Sequence, residues 1–391
     1  MPSKERNILL VTTSPNIGNI DGGTTATRSK LIGLLSENNH LFFLNARRKP
    51  SRVEPGNRYG PWESSFRQLF LGGKCLMFLT DLNPLYLMAL RRSIVRNSID
   101  LVIVSEPYGI GSASLVSLGV PIIYDAHDVV ADHANIAWKR VSLDFRLARL
   151  PIVRQFLREI FIGLVRVIEL ISCRRSNRIA VLSPLDQQRF CTLYRVPPER
   201  TVLVKPWYEP KQKLIGTKDN LVTNVVFHGI YRHPSNLEAF KTIEEYIAPE
   251  LQKRDNTIRV LLAGTDLPPY ERGNIRSYGH VPNLEAFLAL GDVAIVPTTS
   301  GTGIRTKVFD YISHGIPIVS TVKGVEGIGL VNGVHAVICE SVDETFLDSV
   351  ISLAKSESKR ISLARNALNL LTTEYSRRTS AEQVQVLLRG L

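Results

Sequence analysis

Short apolar runs rich in β-branched residues recur through the first half of the chain: NILLVT, HLFFLN, LVIVSE, PIIYDAHD, RIAVLS and VLVKP. Longer segments of helical spacing separate them, over about 23–38, near 85–96, along a long stretch after 150, and from Leu185 onward. Buried-type strands alternating with helices predict a parallel sheet covered on both faces, which is one open α/β domain. From residue 206 the sequence PWYEPKQKLIGTKDNLVT loses this periodicity and gathers Pro, Gly and Lys, the composition of a linker. A second series then begins, with strands VVF, IRVLLAG, IRSYG, VAIVP, PIVST and AVICE. The expected fold class is α/β, with two tandem Rossmann-like doubly wound domains over residues 1–215 and 216–374. A terminal helix at 375–391 is expected to pack back toward the first domain. Such a pair puts its ligand cleft between the domains, facing the carboxyl ends of the strands.

A length of 391 residues suits two hydrophobic cores, and 44% hydrophobic with 21% charged residues is ordinary globular composition rather than disorder. Cys75, Cys173, Cys191 and Cys339 stand far apart, in neither a CxxC pair nor a Cys/His cluster, and read as thiols in a reducing cytosol. MPSKERNILLVTT has no signal-peptide apolar region. The most apolar long segment, 151–172, is interrupted by Arg154, Arg158, Glu159, Arg166 and Glu169, so a spanning helix is not expected. The expected location is cytoplasmic.

The net charge of +12 is unevenly divided: residues 1–215 hold 30 Lys+Arg against 17 Asp+Glu, and residues 216–391 hold 18 against 19. A basic half fits an anionic partner, nucleic acid or lipid, and equally a solvated soluble face. No nucleic-acid-binding motif accompanies it, so nucleic acid is not expected as a partner.

The segment VAIVPTTSGTGIRTKVFDYISHGIPIVST reads as a buried strand, a loop of small residues, a helix opening near Thr306, a Gly stop at Gly315 and another strand. Gly301 and Gly303 let the backbone approach a ligand closely, and the helix start presents unpaired N–H groups to an anion. Arg305 and Lys307 add two full charges suited to a diphosphate leaving group. Asp310 shares their helix face, where a carboxylate accepts hydrogen bonds from a ribose diol. The bland alternative is a flexible turn with a surface Lys307–Asp310 pair. Neither a Walker loop nor a GxGxxG fingerprint is present.

GTGIRTKVFDYISHGIPIVST followed by GVEG resembles the signature of the family 4-like retaining glycosyltransferases of the GT-B fold. VVFHGIYRHPSNLEAF, YGHVPNLEAFLALGDVAIVP and TEYS resemble further parts of that family's second domain. LLVTTSPNIGNIDGGTTATR, YDAHD and SNRIAVLS resemble parts of its first. The resemblance implies diphosphate contacts for Arg305 and Lys307 and a ribose contact for Asp310. It implies a donor contact along Gly301, Gly303, Ile304 and Thr306, a backbone approach at Gly22 and Gly23, and a donor-sugar contact for His127. Many relatives carry a pair of glutamates with seven residues between them. Here Ser300 and a longer loop replace the first, Asp310 replaces the second, and the donor-sugar contact of the first is unassigned. Relatives also place an Arg and a Lys after the first strand of this domain, whereas GIYRHPSN offers only Arg232. Alone, YDAHD is as consistent with a structural histidine as with a functional one, and Glu326 of GVEG either binds a sugar hydroxyl or caps the next turn.

The expected chemistry is transfer of a hexose from a nucleotide-diphosphate sugar to a hydroxyl of an acceptor glycan or lipid-linked sugar, in polysaccharide or glycolipid synthesis. By the resemblance, configuration is retained. No metal cofactor is expected, because no Asp-x-Asp pair stands at a strand end and two cationic side chains take that role. A nucleotide-sugar epimerase would need paired acid and base groups that the sequence does not display. A non-catalytic partner subunit would be expected to lose Arg305, Lys307 and Asp310. Residues 139–178 hold ten Lys+Arg against three Asp+Glu among Leu147, Leu150, Phe156, Leu157, Ile160, Phe161, Leu164 and Ile168. This helix either docks peripherally on an anionic membrane or packs its apolar face on the sheet. The poorly periodic LFLGGKCLMFLT at 69–80 tips the balance toward the membrane.

Overall fold

The computed structural model describes residues 5–12, 23–45, 70–71, 74–75, 84–132, 134, 138, 151–211 and 222–391. Gly22, residues 139–150 and most of 69–80 lie outside the described residues. The chain forms two compact units, mainly the residues up to Pro206 with Ala381–Leu391, and Trp207–Ser380.

The first unit is built on a sheet of β1 (Asn7–Thr12), β2 (His40–Asn45), β5 (Leu101–Ser105), β6 (Ile122–Ala126), β7 (Arg178–Val181) and β8 (Thr201–Leu203). Its order is β2-β1-β5-β6-β7-β8, and every pairing is parallel. Short antiparallel strands β3 (Phe70–Leu71) and β4 (Lys74–Cys75) pair separately. The helices are α1 (Gly23–Ser36), α2 (Pro84–Arg96), α3 (Ile110–Val116), α4 (Pro151–Arg175) and α5 (Pro184–Tyr194). Ile8, Leu9, Val102, Ile103, Ile123 and Tyr124 are almost wholly buried, because helices cover both faces of these central strands. The chain enters α5 through Ser183, whose hydroxyl caps Asp186 N, with Pro184 in the first turn where its missing N–H costs nothing.

Glu169 sits on the inner face of α4, fully buried, and accepts from the amides of Val130 and Ala131 and the hydroxyls of Tyr124 and Tyr194. Burial pushes its carboxyl up, and the four donors hold it partway back. The charge that interrupts the apolar run in sequence is thus an internal tie between α4 and the strands.

The second unit contains β9 (Thr223–His228), β10 (Ile258–Ala263), β11 (Pro269–Arg272), β12 (Ile275–Tyr278), β13 (Val293–Val296), β14 (Ile318–Thr321) and β15 (Val337–Cys339). Its order is β11-β12-β10-β9-β13-β14-β15, parallel except for the β11–β12 pair. Sequence pattern misses β11 because it is an exposed, polar edge strand that begins at a proline, a position where a proline costs no ladder hydrogen bond. The helices are α6 (Pro234–Thr242), which runs through one π turn into α7 (Ala248–Arg254), then α8 (Leu284–Leu288), α9 (Thr306–Ser313), α10 (Glu344–Lys355), α11 (Glu357–Glu374) and α12 (Arg377–Leu388).

Helix α9 carries the candidate diphosphate residues, and aromatic packing fixes its position. Phe309 lies between Tyr208, stacked at 4.6 Å, and Tyr375, tilted at 4.7 Å. Tyr375 also donates its hydroxyl to Ile328 O at 2.7 Å, and Tyr208 N donates to Tyr375 O at 2.8 Å. The tyrosine of TEYS is therefore a brace for α9. Beyond it, α12 returns to the first unit, where Gln383 Oε1 accepts from Lys205 N at 2.7 Å. Arg6 and Arg178 donate to its last carbonyls, the groups that a helix leaves unpaired.

In each sheet the strand order reverses beside the first strand, between β1 and β5 and between β9 and β13. Ligands of open α/β sheets bind at the carboxyl ends of strands at such a point.

Candidate functional site

In the second unit the switch point is filled by the loop Thr298–Arg305 after β13 and the turn after β9. Gly301 and Gly303 have φ of 98° and 71°, backbone that L side chains resist, which explains the glycines of GTGIR. Arg305 folds over this loop, with Nη1 donating to Thr302 O and Gly303 O, each at 2.6 Å, and Nη2 to Ser300 O at 3.0 Å. Its guanidinium organises the loop, and Ile304 packs beneath on the α9 core. Thr306 opens the helix.

Lys307 is buried, with Nζ donating to Asn236 Oδ1 at 2.7 Å and standing 3.9 Å from the centre of the Phe227 ring. Burial, and then the charge of Arg305, hold its pKa well below the ordinary lysine value. The backbone passes this ammonium at Gly229, where a Cβ would come within 2.7 Å of Asn236 Nδ2 and 3.0 Å of Lys307 Nζ. A Cβ there would have to displace the ends of these two side chains.

His228 ends β9 with Nε2 3.6 Å from Asp310 Oδ2, while its own N–H donates to the Tyr311 hydroxyl at 3.1 Å. Burial, with Lys307 and His314 nearby, pushes its pKa down to about 3, so the ring is neutral and the Asp310 contact is not an ion pair. Asp310 keeps a partly exposed carboxylate beside the lysine helix face.

The first unit gathers a second cluster at its own switch point. Arg28 of α1 is buried and donates to Thr12 Oγ1 at the end of β1, at 2.9 Å, with Nη2 3.8 Å from Glu106 after β5. Asp125, at the end of β6, accepts from Ser105 Oγ at 2.9 Å. His127 lies two residues on, its Nε2 3.2 Å from Asp125 Oδ2 but poorly aligned for a hydrogen bond, and its Nδ1 3.2 Å from Thr27 Oγ1. Burial raises the Asp125 pKa, and His127 and Arg28 more than offset that, so the carboxyl sits below its usual value. Glu106 adopts φ of 75°, a strained conformation for a non-glycine residue.

The structure thus brings Gly301, Gly303, Arg305, Thr306, Lys307 and Asp310 together and places His127 in a buried cluster of its own unit. Gly23 opens α1. Arg232 stands apart, highly exposed, with Nε 3.6 Å from Asp266. Glu326 pairs with Lys323 at 2.6 Å on the turn after β14, where Gly324 N donates to Thr321 Oγ1 at 3.0 Å.

Three residues escape the sequence reading. Asn236 orients Lys307, and Arg28 compensates Asp125. Glu238 of α6 receives the hydroxyls of both Thr299 and Ser300, one on each carboxylate oxygen. A carboxylate from another element therefore stands beside Ser300, where the glutamate of relatives is absent. The available signal was PSNLEAF, a helix that opens at the switch point, where its first exposed acid faces the β13 loop. Among the described residues, no three His, Cys, Asp or Glu side chains gather closely enough to hold a metal ion.

Residues 222–356 match the family model described as "Glycosyl transferases group 1". No curated protein sequence matches the chain significantly. Among solved structures, the sucrose-phosphate synthase of Thermosynechococcus elongatus is similar with a TM-score of 0.69 at 13% identity, covering 98% of each chain. Anabaena HepE in complex with UDP-glucose is similar at 0.67 and 12% identity, covering 99% of this chain and 100% of that one. The lipopolysaccharide outer core galactosyltransferase WaaB is similar at 0.67 and 9% identity, covering 98% and 100%. The fold is that of the GT-B glycosyltransferases, with two Rossmann-like domains.

Proposed function

We propose that this chain is a glycosyltransferase that moves a hexose from a nucleoside-diphosphate sugar to a hydroxyl of an acceptor glycan or lipid-linked sugar, with retention and without a metal ion. The observation that carries this reading is the loop at the β9/β13 switch point, where two cationic side chains and two left-handed glycines surround the start of α9. A uridine nucleotide is the first donor to test, because HepE is described in complex with UDP-glucose.

In this mechanism the bond between C1 of the sugar and the β-phosphate oxygen breaks as the acceptor oxygen bonds to C1 on the same face. The acceptor's proton passes to the departing phosphate oxygen, so no protein base is needed. Negative charge grows on the diphosphate, and Lys307, Arg305 and the N–H groups opening α9 stabilise it. Asp310 accepts from the ribose diol. Glu238, fixed by Thr299 and Ser300, accepts from sugar hydroxyls. His127 is assigned its donor-sugar contact by the family resemblance.

The test is a proton NMR spectrum of the first product formed from UDP-glucose and a panel of sugar acceptors, run with and without EDTA. The expected product keeps the donor's α configuration, at a rate that EDTA leaves unchanged. A β linkage, or full inhibition by EDTA reversed by added metal, would discard this mechanism. Glu238→Gln should reduce turnover about tenfold, since a charge-assisted hydrogen bond to a sugar hydroxyl is worth about 1.5–3 kcal/mol. Wild-type rates in that variant would remove Glu238 from the donor site.

A further inference from the structure

Helix α4 is apolar on two opposite faces. Its inner face, with Ile162, Val165, Ile168 and Cys173, is buried in the first unit. On the outer side Ile152, Phe156, Ile160, Leu164, Val167 and Ile171 are all exposed, Ile152 by 84% and Phe156 by 65%. At about 100° per residue their spacing confines them to an arc of about 120°, a continuous stripe along about 30 Å of helix. Folding of the unit does not require six large apolar side chains on a solvent face.

The stripe is not isolated. Helices α2, α3 and α4 make successive crossovers toward the same edge of the sheet, which right-handed connections put on one face. Indeed α2 packs on α3 and α3 on α4. This layer adds exposed Met88 and Val95 on α2, and Leu115 and Leu118 at α3. Its charge is nearly all of one sign, with exposed Arg91, Arg92 and Arg96 on α2 and Arg166, Arg174 and Arg175 on α4. Neither α2 nor α3 carries an acid, and the exposed acid of α4, Glu159, is paired with Arg158 at 3.0 Å.

We propose that the α2–α3–α4 face docks on an anionic lipid surface, with the α4 stripe entering the headgroup layer and the arginines meeting lipid phosphates. A second copy of the chain fits the face less well, because a twofold contact would set arginine against arginine. An anionic bilayer accommodates both features, with apolar side chains below the headgroups and guanidinium groups at their level. The inference does not depend on the sugar-transfer reading, because no residue of the face belongs to either strand-end cluster.

Flotation of the full chain with phosphatidylglycerol–phosphatidylcholine vesicles tests it, against vesicles of phosphatidylcholine alone. Binding to the anionic vesicles is expected, weakened but not abolished by high salt, with little binding to the neutral ones. The double variant Phe156→Ser/Ile160→Ser should lose at least about tenfold in partitioning. Arg91→Glu/Arg92→Glu should lose a similar factor. Both should keep the wild-type melting temperature and donor turnover, since these side chains are solvent-exposed. Equal binding to neutral vesicles, or no binding to anionic vesicles at low salt, would overturn the proposal. So would a concentration-dependent dimer that Phe156→Ser/Ile160→Ser dissociates while vesicle binding persists, which would assign the face to a second copy.

Discussion

Replacing Lys307 by Met is expected to cut turnover about a hundredfold while leaving the melting temperature unchanged or slightly raised. The two effects separate because the ammonium is costly to the empty fold. It is buried, its pKa is lowered by that burial and by Arg305, and its hydrogen bond goes to a neutral acceptor, Asn236 Oδ1, at 2.7 Å. Methionine keeps the stem volume against Phe227 and removes the charge, so the fold loses little. The transition state loses a full charge facing the departing diphosphate, a contact worth about 3 kcal/mol. Arg305→Ala should be as damaging by another route, since it releases the carbonyls of Ser300, Thr302 and Gly303 and lets the glycine loop drift. The lowered pKa also has a sign that can be checked. A bound diphosphate offsets both causes and restores the proton, so binding takes up a proton between Lys307's lowered value and the ordinary value of about 10.4. Affinity for the nucleoside diphosphate should therefore weaken as pH rises through that window, and calorimetry in buffers of different ionisation enthalpy should register proton uptake. Wild-type turnover in both variants, or binding without proton linkage, would reassign the loop.

The parts of the fold that were legible are those whose pattern follows from complete burial. NILLVT, LVIVSE and VAIVP announce β1, β5 and β13 because a strand covered on both faces must be apolar at every position. The edge strand β11 obeys no such demand, and its sequence PYER carries no signal. Helix α4 was legible only as an ambiguity. Its residues were apolar over most of the circumference, and the sequence could not say which face meets the sheet. The structure divides them, with Ile168 and Glu169 inward and Phe156, Ile160 and Leu164 outward, so that packing on the sheet and an apolar outer stripe occur together.

The candidate site was legible where one short segment carries it. Gly301 to Asp310 are nearly contiguous, and their backbone demands and charges are written in one string. What escaped is what contacts across long sequence separations create. Glu238 reaches Thr299 and Ser300 from 61 and 62 residues away, and Asn236 reaches Lys307 from 71. PSNLEAF shows where the helix opens, but nothing local in it shows which residues of the β13 loop and α9 it meets. The sequence also displayed Arg305 and Lys307 as equivalent cations, whereas the fold gives them different tasks, one bracing the loop and one held beside the β9 turn.

Asp125→Ala should cost the first unit about 1–3 kcal/mol, because it removes a buried acceptor together with the carboxylate beside His127. Arg28 and Asp125 are each almost wholly buried, and Arg28 has Glu106 at 3.8 Å from Nη2 and the Thr12 hydroxyl at 2.9 Å as its own partners. Asp125→Ala leaves Ser105 Oγ without its acceptor and His127 without the carboxylate at its Nε2. Asp125→Asn should lose less, since its amide oxygen still accepts from Ser105. The dependence on pH follows from the lowered folded-state pKa of Asp125. Its stabilising contribution is complete above the unfolded-state value of about 3.9 and disappears as pH falls through the folded-state value. The difference between wild type and Asp125→Ala should therefore be constant from neutral pH down to about 5 and should shrink below about 4. Because two units need not unfold together, amide hydrogen exchange at β5 and β6 is the appropriate measurement, with exchange at β9 and β13 as an internal reference. A loss shared equally by both sheets, or no loss in β5 and β6, would show that this buried carboxylate does not hold the switch point of the first unit.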